Sequence, residues 1–231
     1  GVFRAELQVS TATWTPWGDD GPELHAHVFG APGQPPRIPG PKLRVEAGTP
    51  VVVTLRNTLP DTLLVRGLRD RGQPLPPGAP DGLLAVLPFQ GDSVVVGPGE
   101  TTEVHFTPTV PGDYFYFGKT MEAGWSATPQ PLFGARALDR ALMGVLLVDA
   151  PGEVRDPEER VLLLSHWADQ DDPGTYLPSV RYLVNGRAWP HTEHLEYALG
   201  DTVRWRVINQ SGGFHPMHLH GFYFEVTQWT A

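Results

Sequence analysis

The chain has 231 residues, 26 acidic against 17 basic side chains and a formal charge of −9, which argues against a nucleic-acid or anionic-membrane binder. Its length suits one large domain or two smaller ones, and 40% hydrophobic with 10% aromatic content is that of a folded chain. No apolar run approaches the roughly 18 residues of a membrane helix, and the absence of cysteine excludes disulfides and thiolate metal sites within these residues.

Gly (26) and Pro (25) follow no fixed period and read as turns between many short strands. In chain order, Leu24-His25-Ala26-His27 comes first, a strand-parity pair of imidazoles. A solvent-facing strand pair is the preferred reading of it over a metal site. Strand patterns follow at Leu43–Val45, Val51–Leu55, Ser93–Val96, Thr102–Phe106 and Gly112–Phe117, rich in Val, Tyr and Phe. The stretch Lys119–Arg140, with Met121 and Trp125, reads as a long insertion, either a pocket wall or a surface loop. A short helix is expected over Phe133–Leu142 and a strand over Met143–Val148. Ala150–Glu159 is rich in Pro, Gly and charge and marks a boundary between units 1–150 and 151–231. Beyond it, strands are expected at Arg160–Leu164, Thr202–Ile208 and Phe222–Val226. His105 and His166 lie singly within apolar strands and read as hydrogen-bonded core or boundary residues. Asp169, Asp171 and Asp172 read as a solvated loop, because no Glu follows at the spacing of a calcium loop. His191 and His194 sit in a turn and read as surface residues.

The chain also repeats itself. GTPVVVTLRN (Gly48–Asn57) resembles GDTVRWRVIN (Gly200–Asn209), each opening on a Gly turn and closing on Asn. Each copy follows another short strand pattern, Leu43–Ala47 and Leu195–Leu199. Two β-sandwiches in tandem explain this better than one. The second unit has about 70 residues where such a sandwich takes roughly 100, so it reads as unfinished, and the natural protein is expected to continue past Ala231. With no initial Met and no signal peptide, the chain reads as processed or trimmed.

The strongest chemical signal is His215-Pro216-Met217-His218-Leu219-His220-Gly221. Neutral imidazole is a good ligand for copper and zinc. In an extended segment His218 and His220 share a face and can address one metal or two close ones. His215 is offset by odd steps with Pro216 between, so it is free to serve a separate centre. Asn209-Gln210-Ser211 matches a glycosylation sequon but reads here as the turn after the strand.

HPMHLHG after a strand ending in Asn resembles the last cupredoxin domain of multicopper oxidases such as laccases. The first unit is similar to that family in Gly40-Pro41 before KLRVEAG, in VGPGE (Val96–Glu100), in VPGDYFY (Val110–Tyr116) and in MGVLLV (Met143–Val148). The resemblance implies an all-β fold of tandem cupredoxin-like Greek-key β-sandwiches, the second one incomplete in this chain. It implies copper as cofactor, with His215 on the type 1 copper that takes electrons from substrate and His218 and His220 on the cluster that reduces dioxygen. A type 1 centre also needs a Cys, which the family supplies further along and this chain lacks. The family's first-domain H-x-H pairs would fall at Leu64 and Arg66, and at Phe117 and Lys119, so all four expected imidazoles are replaced.

The expected function is therefore a copper-dependent oxidoreductase of the multicopper-oxidase type, oxidising a small reducing substrate, with transfer to dioxygen left open by the missing ligands. A non-enzymatic copper-binding or electron-transfer protein and a metal-free scaffold are the alternatives. In its 231-residue form the chain is expected to show little oxidase activity. The resemblance implies a periplasmic or extracellular location; homo-oligomerisation is left open.

Overall fold

A computed structural model describes residues 1–72, 93–121, 137–169, 179–211 and 215–230. Among them the structure is almost wholly β, in three sheets. The first sheet has the order β2 (Leu24–Gly30), β1 (Phe3–Trp14), β4 (Val51–Asn57) and β7 (Thr101–Phe106). The second runs β3 (Leu43–Glu46), β9 (Met143–Asp149), β8 (Gly112–Met121), β5 (Thr62–Arg66) and β6 (Val94–Val96). The third contains β11 (Ser179–Val184), β10 (Arg160–Asp169) and β12 (Trp205–Asn209).

The first two sheets pack face to face around the main core. Leu7, Val9, Phe29, Val53 and Leu55 come from one side, and Leu63, Val65, Tyr114, Tyr116, Leu146 and Val148 from the other. Tyr116 is fully buried, sets its ring edge-on to Phe29 with centroids 5.0 Å apart, and donates its hydroxyl to Pro41 O at 2.6 Å. Its ring fills the place a side chain would take at Gly144, the residue opposite on β9.

All seven residues of β9 are buried, which accounts for the continuous apolar run MGVLLVD. One face of the strand joins the main core. The other, with Met143, Val145 and Leu147, packs on Leu163 and Ile208 of the third sheet. A further cluster joins Trp14, Ala26 and Val28 of the first sheet to Trp167 and Leu183 of the third, with Trp14 and Trp167 edge to face at 5.4 Å.

Charge closes the same junction. Arg206 of β12 is 7% exposed and donates to Asp113 (2.8 Å), Glu153 (2.6 Å) and Glu159 (2.7 Å). Arg44 of β3 donates to Asp149 (2.8 and 2.9 Å) and Glu159 (2.8 Å), and Arg155 to Asp149 (3.1 Å). Burial works against the charge on Asp149, but Arg44 and Arg155 prevail and hold its carboxyl below the usual range. Glu153 is also held low, first by the Ala150 N–H, with burial opposing it and Arg206 adding to it. Residues 150–159, the expected boundary, carry no strand and supply Glu153, Arg155 and Glu159 to this network.

Several expectations need correction. The strand pattern at Leu195–Leu199 forms no strand, Phe222–Val226 forms none, and the pattern at Thr202–Ile208 becomes a strand only from Trp205. These segments lie open, with Leu199 at 106% and Tyr223 at 103% exposure. An extended segment with no facing sheet and no neighbouring strand has nothing to satisfy its backbone but water. The expected helix survives as a 3-10 turn at Ala137–Ala141, because Met143 begins β9 directly after it; Phe133–Arg136 lie outside the described residues, as do Trp125, Asp171 and Asp172. Strands β1, β5 and β11 had no counterpart in the sequence reading.

Candidate metal centre

The two copies of the repeat build the same frame. Strand β4 runs parallel to β1, which runs antiparallel to β2. Strand β12 runs parallel to β10, which runs antiparallel to β11. The opening turns match, with Thr49 N–H donating to Glu46 O and Asp201 N–H to Ala198 O, both at 3.1 Å. Gly48 and Gly200 both take positive φ, +85° and +97°. After the strands, Thr58 N–H donates to Val9 O and Gln210 N–H to Leu164 O. The closing Asn accepts from the N–H two residues on in each copy, Leu59 to Asn57 Oδ1 and Ser211 to Asn209 Oδ1, both at 3.0 Å. That is an Asx turn, as expected for Asn209-Gln210-Ser211. Each copy then reaches a second positive-φ glycine, Gly67 at +89° and Gly221 at +80°.

In the first copy the segment before Gly67 is β5, paired antiparallel with β8. Leu64 stands opposite Lys119, and Arg66 opposite Phe117. Leu63 and Val65 point into the main core, so Leu64, Arg66, Phe117 and Lys119 share the other face. The four positions expected to lack ligands are thus brought together, but by side chains unsuited to copper. Arg66 Nε donates to Ser93 Oγ at 2.8 Å. Burial lowers the Lys119 ammonium pKa and the Arg66 charge lowers it further, while Asp139 opposes both.

In the second copy the segment before Gly221 carries the imidazoles. His215 Nε2 is hydrogen-bonded to Ser211 Oγ, and its ring stands edge-on to Tyr182, centroids 5.1 Å apart. Tyr182 lies opposite His166 in the β10–β11 register. The His166 pKa is lowered by burial and by the Arg140 charge; a hydrogen bond with the Ser211 backbone opposes this and His215 adds to it. His166 is therefore the boundary residue expected of it, and it lies beside His215. The rings of His218 and His220 lie 4.9 Å apart at 80° on an exposed segment. Among the described residues no three His, Asp or Glu side chains gather around one point. As a donor set, borderline imidazole nitrogens suit copper; the thiolate of a blue-copper centre is not in the chain.

The remaining imidazoles lie apart from these positions. His27 is buried rather than solvent-facing, because the 3-10 turn covers it and brings Asp139 Oδ1 to 2.7 Å from its Nδ1. Asp139 also accepts from Thr120 N–H at 2.8 Å. His25 is exposed. His105 is exposed on β7 and contacts Glu103 at 3.1 Å, because that face of the first sheet meets solvent rather than core. His191 and His194 are exposed in their turn, with His194 Nε2 3.2 Å from Pro190 O. Sequence reading missed Tyr182 and Ser211 as neighbours of His215. Ser211, two residues past the strand-ending Asn, carried a signal in the Asx-turn pattern; Tyr182 carried none.

Residues 156–230 match the family model described as multicopper oxidase. A probable nitrite reductase-hydroxylamine oxidoreductase fusion protein of Kuenenia stuttgartiensis is 26% identical over 231 residues, 96% of this chain and 25% of that protein. An L-ascorbate oxidase of Cucurbita pepo var. melopepo is 32% identical over 150 residues, 62% of this chain and 22% of that one. The chain thus spans about a quarter of the length of these curated relatives. Among solved structures, a blue copper oxidase of Nitrosomonas europaea superposes with a TM-score of 0.63 at 18% identity, over 90% of this chain and 61% of that one. At that identity the likeness establishes the fold, tandem cupredoxin-like sandwiches.

Proposed function

From the chain's membership of the multicopper-oxidase superfamily, we propose that it is the copper-handling part of an oxidoreductase that takes electrons from a small reducing substrate. Residues 1–150 and 151–231 are its two units, and His215 together with the pair His218 and His220 are its copper ligands. The observation that carries this reading is the placement of imidazoles in the second copy alone. His215 is anchored by Ser211 and Tyr182, and His218 and His220 lie ring to ring on the segment beyond it.

Copper, when bound, supplies one-electron redox chemistry. The chain's own residues bind and orient it: neutral imidazoles donate their lone pairs, and the contacts at His215 limit the directions its ring can take. A blue site completed around His215 takes its thiolate from outside these 231 residues.

The face formed by Leu64, Arg66, Phe117 and Lys119 favours a second reading, a copper-binding or electron-transfer protein that does not reduce dioxygen. A permanent guanidinium beside a second cation repels a metal ion. The naming of nitrite reductase in one relative makes nitrite a further acceptor to assay. A periplasmic or extracellular location agrees with either reading.

The test is copper loading followed by metal analysis. The double variant His218→Ala/His220→Ala should bind less copper(II) than the parent, with an unchanged unfolding midpoint. Equal copper content would remove the pair from the site. For the protein completed with a thiolate ligand, blue colour with oxygen consumption supports the oxidase reading, and colour without it supports electron transfer.

A further inference from the structure

Ser211 is a small, nearly buried polar residue with contacts on several sides. Its N–H donates to Asn209 Oδ1 at 3.0 Å, its Oγ lies 2.8 Å from the same oxygen, its backbone bonds His166, and its Oγ bonds His215 Nε2. These contacts determine where the protons sit. A backbone N–H can only donate, so the Asn209 atom facing it is the carbonyl oxygen and not the amide nitrogen. A carbonyl oxygen can only accept, so the Ser211 hydroxyl hydrogen goes to it. A hydroxyl has one hydrogen; with that committed, Ser211 Oγ meets His215 as an acceptor. His215 must then donate through Nε2–H.

We infer that Ser211, oriented by Asn209, is a positioning residue for His215, holding the imidazole as its Nε2–H tautomer and leaving the Nδ1 lone pair as the one open to a metal ion. The inference rests on the reading of His215 as a copper ligand for its purpose, but not for its geometry. The relay exists in the metal-free chain. Its logic is that of an outer partner that fixes which ring nitrogen of a ligating histidine is free. It also gives the strand-ending Asn of the second copy a task beyond closing its turn.

The test uses the 231-residue chain, labelled with 15N, at mildly alkaline pH. Long-range proton–nitrogen correlation of the His215 ring reads the tautomer directly. The expected result is protonated Nε2 and unprotonated Nδ1 in the parent, the same in Ser211→Thr, and a mixture of tautomers in Ser211→Ala. An Nδ1–H tautomer or an even mixture in the parent overturns the inference, whatever copper does. Titration of the same samples with copper(II) provides the second readout. The His215 signals should broaden in the parent, and about 10- to 100-fold more copper should be needed in Ser211→Ala, with Ser211→Thr restoring the parent response. A parent that shows the Nε2–H tautomer and no copper broadening at His215 would uphold the relay and remove His215 from the proposed ligands.

Discussion

The strand that ends at Asn57 and the strand that ends at Asn209 start from the same turn, run parallel to the same kind of neighbour and close on the same side-chain bond. They differ in what lies beyond and beside them. Strand β4 has β1 on one side and β7 on the other, and Asn57 is fully buried, its amide donating to Asp61 O, Val96 O and Gly97 O. Strand β12 has only β10 among the described residues, and Asn209 is exposed. Beyond the first Asn comes a paired strand with Leu64 and Arg66; beyond the second comes an open segment with His215, His218 and His220. The repeated unit is thus a backbone frame, and chemistry is decided by the residues that follow it. The first copy spends those positions on packing, the second on donors.

The most drastic way to break this contrast is to give the first copy the imidazoles of the second. Leu64 faces Lys119 and Arg66 faces Phe117 across antiparallel strands, where opposed Cβ atoms lie about 4.5–5.5 Å apart. The variant Leu64→His/Arg66→His/Phe117→His/Lys119→His should gain a copper site. At micromolar affinity that is about 8 kcal/mol of binding, readable by calorimetry with copper(II). No added binding would mean that the shared face does not bring the four side chains together.

Next in size is the network at the junction. Arg206 occupies in the second copy the repeat position of Thr54 in the first. On β4 that position is flanked by a strand, with Glu103 opposite; on β12 it is met by Asp113, Glu153 and Glu159. Arg206→Met should cost about 3–5 kcal/mol in chemical unfolding, because it takes the shared, nearly buried cation from Asp113 and Glu153 and leaves Glu159 with Arg44. A loss below about 1 kcal/mol would show that solvent reaches the cluster.

These two cases also mark what was legible in the sequence. The repeat was visible because the strand-opening Gly, the alternating apolar positions and the closing Asn each carry a local geometric demand. The all-β fold followed from the same local signals. The shared face of Leu64, Arg66, Phe117 and Lys119 came from family resemblance, since no local pattern links residues more than 50 positions apart. His27 with Asp139, and Arg206 with its carboxylates, could not be read at all, because each partner is chosen by sheet packing across a large sequence separation. Strands expected at Leu195–Leu199 and Phe222–Val226 failed for a related reason. Alternation shows that a segment could line a sheet, but not that a sheet is there to receive it.

A smaller effect compares the two Asn residues directly. Asn57→Ala removes the amide that donates to the buried carbonyl of Val96 and to the part-buried carbonyls of Asp61 and Gly97, and should cost about 1–3 kcal/mol. Asn209→Ala, at an exposed residue whose Oδ1 accepts from Ser211 in the turn, should cost under about 1 kcal/mol. Urea unfolding of both variants measures the difference. Equal losses would mean that the second Asn is as tightly enclosed as the first.

The mildest perturbation is acid, followed at the two carboxyls of the junction. Asp149 and Glu153 have folded-state pKa values below their ordinary 3.8 and 4.5. As pH falls past 4.5 and then 3.8, the unfolded chain takes up protons that the folded chain still refuses. The unfolded state is then the better proton binder, so stability declines with falling pH until the folded carboxyls also protonate. Above about pH 5 these two groups contribute a constant amount. The unfolding midpoint should therefore be flat on their account above that pH and fall below it, and the fall should flatten in Arg206→Met, which removes part of what holds Glu153 low. An acid transition unchanged in that variant would place its origin elsewhere than between the two copies.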